Sequence, residues 1–212
     1  MNNIINLYKR RSDNMYFEAL IENLTANPAK NYTIREAEKL AQRVLKDYGA
    51  DNLNGATPII KIANSFGFSC IQAQNIPEDI SGNIFVGETT KKVYDSDKVI
   101  VVDYNEPLEH KRFIVAHELA HYLIDYLGSA EAKNPNYLFS RTYPKQSHHS
   151  ENEVRADRFA AELLMPSQLF LKQYVRAMEV SDFDKKYTVS YLSNYFKTKK
   201  SSVERRINEV IT

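Results

Sequence analysis

The sequence predicts an α+β fold: a small, mostly antiparallel sheet, a long buried helix carrying the pentad HELAH, a second helix carrying acids, and helices at the C-terminal end. Apolar residues recur at helical spacing from Ile34, again from Ile59, then along 105–127 and 151–165. Between the second and third of these lie three short runs rich in β-branched and aromatic residues. A composition of 43% hydrophobic and 26% charged residues, with only 6 Gly and 7 Pro, is that of a chain that folds throughout.

Several function classes are disfavoured at once. The 28 Lys and Arg against 27 Asp and Glu leave a formal charge of +1, so there is no global pull toward nucleic acid or an anionic membrane. No stretch approaches the roughly 18 consecutive apolar residues that span a bilayer, and MNNIINLYKRRSDN lacks the apolar core of a signal peptide. The single cysteine, Cys70, sits in the apolar run Phe66 to Ile71 and reads as a small buried side chain in a reducing compartment. The chain therefore reads as a cytoplasmic protein with no membrane partner.

In order along the chain, residues 1–32 read as a peripheral N-terminal extension, with Thr25 to Asn31 as a linker. From Thr33 the stripe Ile34, Ala37, Leu40, Ala41, Val44, Leu45 predicts a helix ending near Gly49. Thr57 followed by Pro58 predicts an N-cap and first turn for a helix running to Gly67. Phe68 to Ala73, Gly82 to Val86 and Lys98 to Asp103 are strands, with Glu88 to Asp97 read as a turn-rich connection. Asn105 to Leu127 is a long helix capped by Asn105, with Pro107 in its first turn. Residues 128–149 read as a loop, a length that in a compact domain is usually functional. Glu151 to Met165 and Ser167 to Met178 are helices broken at Pro166, and two short helices flank Lys197 to Lys200. A domain over 33–180 and a C-terminal helical segment over 181–212 follow.

The pentad at 117–121 carries the chemistry. Residues four apart lie on one helix face, so His117 and His121 can aim ring nitrogens at one metal ion. Glu118 then flanks the ion as the candidate catalytic base that takes a proton from water. With 5 His in the chain, the pattern H-E-x-x-H arises by chance roughly 0.01 times. A catalytic zinc takes three protein ligands and one open position. The metzincin continuation is absent, because Ile124 and Leu127 stand where its glycine and third histidine would fall.

A carboxylate on a second helix is the better third ligand. Glu153 and Asp157 are four apart and share a face with Ala156, Ala160 and Leu164. Two acids on such a stripe need a cation or donors, because unpaired buried charge is costly. Glu153 is the candidate metal ligand, and Asp157 is placed to accept the outer N–H of a ligand histidine. Glu151, Arg155 and Glu162 read as surface or ion-pair residues, and the loop pair His148 and His149 could ligate, although adjacent histidines in a polar loop are more often exposed.

The segments RFIVAHELAHYLI at 112–124 and ENEVRADRFAAELLMP at 151–166 resemble the ImmA/IrrE metallopeptidases, with weaker similarity through TPIIKIANSFGFSCIQ, GNIFV and KVIVVD. Where that family commonly has Asn, this chain has Asp157, nearer the Glu-x-x-x-Asp pattern of gluzincins. The resemblance implies a zincin-like core, a zinc ion, and a protein substrate, because family members often cleave helix-turn-helix repressors of mobile elements or stress regulons.

Tyr143, His148 and His149 are candidate donors to the developing oxyanion. A strand at Gly82 to Val86 or Lys98 to Asp103 could hold an extended substrate by sheet addition. The C-terminal segment places Val189, Leu192, Phe196, Val203, Ile207 and Val210 at helix-turn-helix-like spacing beside Lys197, Lys199, Lys200, Arg205 and Arg206. Packed helices with a solvated basic face are favoured over DNA binding. The sequence thus points to a site-specific zinc endopeptidase, with a non-cleaving repressor-binding regulator and a DNA-binding protein as rivals.

Overall fold

A computed structural model describes residues 5–6, 17–26, 32–50, 52–129, 132, 138–144 and 150–211. The chain opens with β1 (Ile5–Asn6), α1 (Glu18–Ala26) and α2 (Ile34–Asp47), followed by α3 (Ile59–Ser65), β2 (Ser69–Ala73) and β3 (Ile80–Val86). Then come α4 (Glu88–Tyr94), β4 (Lys98–Asp103), α5 (Leu108–Ala120), a π-helical segment (His121–Tyr126) and β5 (Phe139–Pro144). The helices α6 (Glu151–Leu164), α7 (Ser167–Val180), α8 (Lys185–Phe196) and α9 (Lys200–Ile211) complete it. The fold is α+β, as the apolar periodicity predicts.

The sheet runs β1-β2-β4-β3-β5, with β2 and β4 parallel and every other pair antiparallel. Ile84, Ile100 and Val102 on one face join Ile114 and Leu119 of α5 in the main core. On the other face Ile71, Val99 and Val101 form a smaller cluster. The approach of α5 to the sheet is close: a Cβ on Gly82 would lie 2.4 Å from Ile114 Cγ2. Only glycine leaves room there, which fixes the height of α5 one turn before His117. Helix α6 packs against both α2 and α5, and Ala156 and Ala160 are buried where it does so.

Several sequence expectations change. Residues 88–97 contain the helix α4 rather than turns alone, and Tyr94 stacks on Phe85 at 6.1 Å to cover the smaller cluster. The apparent loop 128–149 contains β5, which pairs with β3 along Phe139–Pro144. Thr57 does not cap α3; its hydroxyl donates to Leu163 O at 2.8 Å and ties that helix to the end of α6. Pro107, not Asn105, precedes α5, and the last part of the long helix is π-helical. The N-terminal segment is not peripheral at α1: Phe17 is buried and stacks on Phe66 at 3.9 Å, with Leu20 and Leu24 in the same core. Neither β3 nor β4 has a free edge, since each is paired on both sides, so among the described residues the strand with an open edge nearest the HELAH helix is β5.

Helices α7 to α9 share a second cluster of Met165, Phe170, Val189, Leu192, Phe196 and Val203. The basic face expected there is partly consumed: Arg206 is 1% exposed and ion-paired with Glu162, while Arg205 pairs with Asp157 at 3.3 Å. Among the described residues no helix is long and apolar enough to cross a membrane.

Candidate metal centre

Helix α5 enters the core so completely that His117 and Glu118 are each 1% exposed and His121 3%. Burying three ionisable groups on one helix is costly unless each is paired or bound to a cation. The helical spacing sets the two imidazoles Nε2 to Nε2 at 3.0 Å. From α6, Glu153 brings Oε2 to 3.0 Å from His117 Nε2 and Oε1 to 3.4 Å from His121 Nε2.

The outer nitrogens are held as well. His117 Nδ1 lies 3.0 Å from Asp157 Oδ1, and His121 Nδ1 lies 2.6 Å from Asp125 Oδ2. An ionised carboxylate only accepts, so each Nδ1 is the donor. Each ring then turns its Nε2 lone pair inward, toward the other ring and toward Glu153. Three electron pairs converge on one point.

Such a convergence requires a cation. His117 Nε2 lies 3.0 Å from His121 Nε2 and 3.0 Å from Glu153 Oε2, and His121 Nε2 lies 3.4 Å from Glu153 Oε1, spacings near the ~3.3 Å between donors placed tetrahedrally about a zinc ion at ~2.0–2.1 Å. His117, His121 and Glu153 are the only group of three or more such residues among the described residues with ligand atoms this close together. Without metal a proton takes the cation's place. Burial pulls the His117 pKa down, but hydrogen bonds to the Asp157 and Glu153 carboxylates outweigh it and raise it to about 9. Burial likewise opposes ionisation of Glu153, and its bonds to both imidazoles overcome that and lower its pKa.

Glu118 stands apart from this network. Among the described residues neither of its carboxyl oxygens has a hydrogen-bond partner. Burial raises its pKa to about 7, despite the opposing pull of His117 and His121. A buried orphan acid beside three converging donors is a strained arrangement for a structural residue and a usable one for proton transfer.

The edge strand β5 supplies two further neighbours. Arg141 Nη2 lies 3.5 Å from Asp125 Oδ2, and its Nη1 3.9 Å from Glu153 Oε1. Two residues on, Tyr143 sets its ring 4.6 Å from that of His117, edge to face. Burial, then the nearby Asp157 and Glu153, raise its pKa, so it keeps its hydroxyl proton. His148 and His149 lie outside the described residues. Of the other acids weighed for the third position, Glu151 is exposed and Glu162 is buried against Arg206, so neither joins the group. Arg155 is an ion-pair residue as expected, 3.9 Å from Glu151, and folds back onto Asn152.

The sequence reading passed over Asp125, Arg141 and the pair Glu106–His110. Asp125 had a signal, the same spacing of four from His121 that drew attention to His117. Arg141 had none, because its strand was hidden in a polar stretch.

Comparisons with known proteins bear on the same residues. No curated protein matches the chain. Among solved structures, a Mycobacterium tuberculosis transcriptional regulator aligns over 92% of this chain and 52% of its own, at a TM-score of 0.49 and 19% identity. The chain thus spans about half the length of that protein. The family model of the IrrE N-terminal-like domain, the M78 peptidase family, matches residues 84–208, from mid-β3 through α9 and including every residue of the candidate centre. With more than half of its length matched, the chain belongs to the IrrE N-terminal-like family.

Proposed function

We propose that this protein is a zinc-dependent endopeptidase, with His117, His121 and Glu153 as metal ligands and Glu118 as general base. The observation that carries the reading is the convergence of two Nε2 atoms and one carboxylate beside the orphaned Glu118. Two imidazoles, one carboxylate and an open position suit zinc. A zinc ion there would acidify water and polarise a peptide carbonyl.

The chain's own residues supply the rest. Glu118, with a pKa near neutrality, takes a proton from the attacking water and delivers it to the leaving amine. Asp157 and Asp125 hold the two rings in the tautomer that leaves Nε2 free. Tyr143 keeps its proton and sits against His117, which makes it the oxyanion donor favoured over His148 and His149. An extended peptide adds to the outer edge of β5, bringing it alongside Arg141 and Tyr143.

Membership of the family supports a helix-turn-helix repressor as the protein substrate, and the lone buried Cys70 fits a reducing, cytoplasmic setting. The test is Glu118→Gln with zinc content and repressor cleavage measured together. Zinc stoichiometry stays at one while cleavage falls about 10²–10⁴-fold. Unchanged cleavage, or unchanged relief of repression in cells, would remove the enzymatic reading.

A further inference from the structure

A cavity of about 260 Å³ shares a wall with the metal centre: Asp157 and Tyr143, both against His117, line it. His110 on α5, Lys199 just before α9, and Ser201, Ser202 and Arg205 in the first turns of α9 line it as well, with Phe113, Ala161 and Met165 as its apolar wall. It is smaller than the roughly 300–1,000 Å³ that holds a cofactor or drug-sized ligand, and of a size for one side chain.

The charges around it are unevenly matched. Asp157 already receives His117 at 3.0 Å and Arg205 at 3.3 Å. Glu209, the other acid on the wall, receives Arg158 at 3.0 Å and Arg206 at 3.3 Å. The Lys199 ammonium, by contrast, forms no hydrogen bond or ion pair among the described residues, although it faces Glu106 from a distance. His110 is anchored on one side only: its Nδ1 lies 2.6 Å from Glu106 Oε2, and the other Glu106 oxygen accepts from the buried Ser81 hydroxyl at 2.7 Å. The second ring nitrogen has no hydrogen-bond partner among the described residues.

We infer that this cavity is the subsite for one substrate side chain beside the cut bond, and that it selects a carboxylate, with Lys199 as the principal receiver and His110, Ser201 and Ser202 around it. The inference rests on the peptidase reading for the word substrate, but the selectivity does not. An apolar guest would strip water from Lys199, His110 and two serines without replacing it. A cationic guest would meet Lys199 and Arg205 while both wall carboxylates are already engaged. A carboxylate balances the unmatched ammonium and accepts from the hydroxyls.

Binding tests this without requiring cleavage. Zinc-loaded Glu118→Gln protein, which leaves peptides intact, is titrated by NMR with capped Ala-Ala-Xaa-Ala-Ala peptides in which Xaa is Glu, Gln or Lys. The Glu peptide binds about tenfold more tightly than the Gln peptide, shifts the resonances of Lys199 and His110, and outcompetes the Lys peptide by more. Lys199→Gln removes the preference and Lys199→Arg keeps it. Equal affinities, shifts confined to other surfaces, or a preference that survives Lys199→Gln overturn the inference. A Glu preference in a parent chain that cuts nothing would sink the peptidase reading alone, and cutting with no such preference would sink the subsite alone.

Discussion

Helix α6 carries a buried polar cluster on each of two opposite sides, and the two differ in whether they close. Glu153 and Glu162 are nine residues apart, about 900° of helix and so half a turn out of phase. On the Glu162 side the charges satisfy one another: Arg206 pairs with Glu162, Gln42 Nε2 donates to Glu162 at 2.9 Å, and Ser167 N at 3.2 Å. Arg158 reaches Glu38 on α2 and lies 3.0 Å from Glu209 on α9, completing a network across three helices. On the Glu153 side the outer N–H groups are spent on Asp157 and Asp125, three inward lone pairs face each other, and Glu118 has no hydrogen-bond partner among the described residues. A polar cluster that neutralises itself holds helices together, whereas one that stays open is arranged around something the chain does not itself provide.

The contrast can be broken by substitution. The largest stability effect belongs to the closed cluster: Arg206→Met leaves Glu162 buried without its cation and costs about 3–5 kcal/mol in denaturant unfolding. Adding Glu162→Leu recovers most of that loss, and a double variant as unstable as the single one would show that the pair is not self-contained. The open cluster responds in the opposite sense. Glu118→Leu removes an orphaned buried carboxyl and stabilises the metal-free fold by about 1–3 kcal/mol, at the position where the proposed function requires Glu118→Gln to lower cleavage about 10²–10⁴-fold. A destabilised Glu118→Leu protein would mean that Glu118 has a structural partner after all.

Smaller effects sharpen the role of the outer carboxylates. Asp157→Ala frees the His117 ring and weakens zinc binding about 10–100-fold in a chelator competition. Asp125→Ala does the same through His121, and zinc affinity untouched by either would leave the rings oriented by packing alone.

Acidity gives the last comparison. In the metal-free protein the His117 pKa stands at about 9 against an ordinary 6.5. The fold therefore holds a proton that the unfolded chain releases, and the stability this lends is complete below pH 6.5 and lost as pH rises through 9. The melting temperature of the metal-free protein falls across that window, while the increment added by zinc, which needs the ring unprotonated, grows. A metal-free melting curve that is flat from pH 6.5 to 9 would contradict the raised value.

How much of this was legible in the sequence follows from the range of each interaction. The pairing of His117 with His121, and of Glu153 with Asp157, is a property of one helix: a spacing of four puts both side chains on one face whatever else the chain does. The strands β2, β3 and β4 announce themselves because apolar residues fill them. Helix α4 did not, since Thr90 is its only buried residue and no apolar stripe marks it. Strand β5 did not either, because Arg141 turns to the candidate metal centre and Tyr143 divides its ring between His117 and the core, so it reads as polar loop.

The sequence by itself determined the α+β class, the HELAH helix and the acids on α6, all of which rest on contacts between residues a turn or two apart. Only the tertiary structure decided that Arg206 is buried, that Glu118 is left without a hydrogen-bond partner among the described residues and that Lys199 overlooks a cavity beside His117. Those facts depend on which helix packs on which, set by the close contact at Gly82, the tie from Thr57 to Leu163 and the order of the strands. Local spacing fixes which side chains a helix offers, and long-range packing fixes which of them find partners.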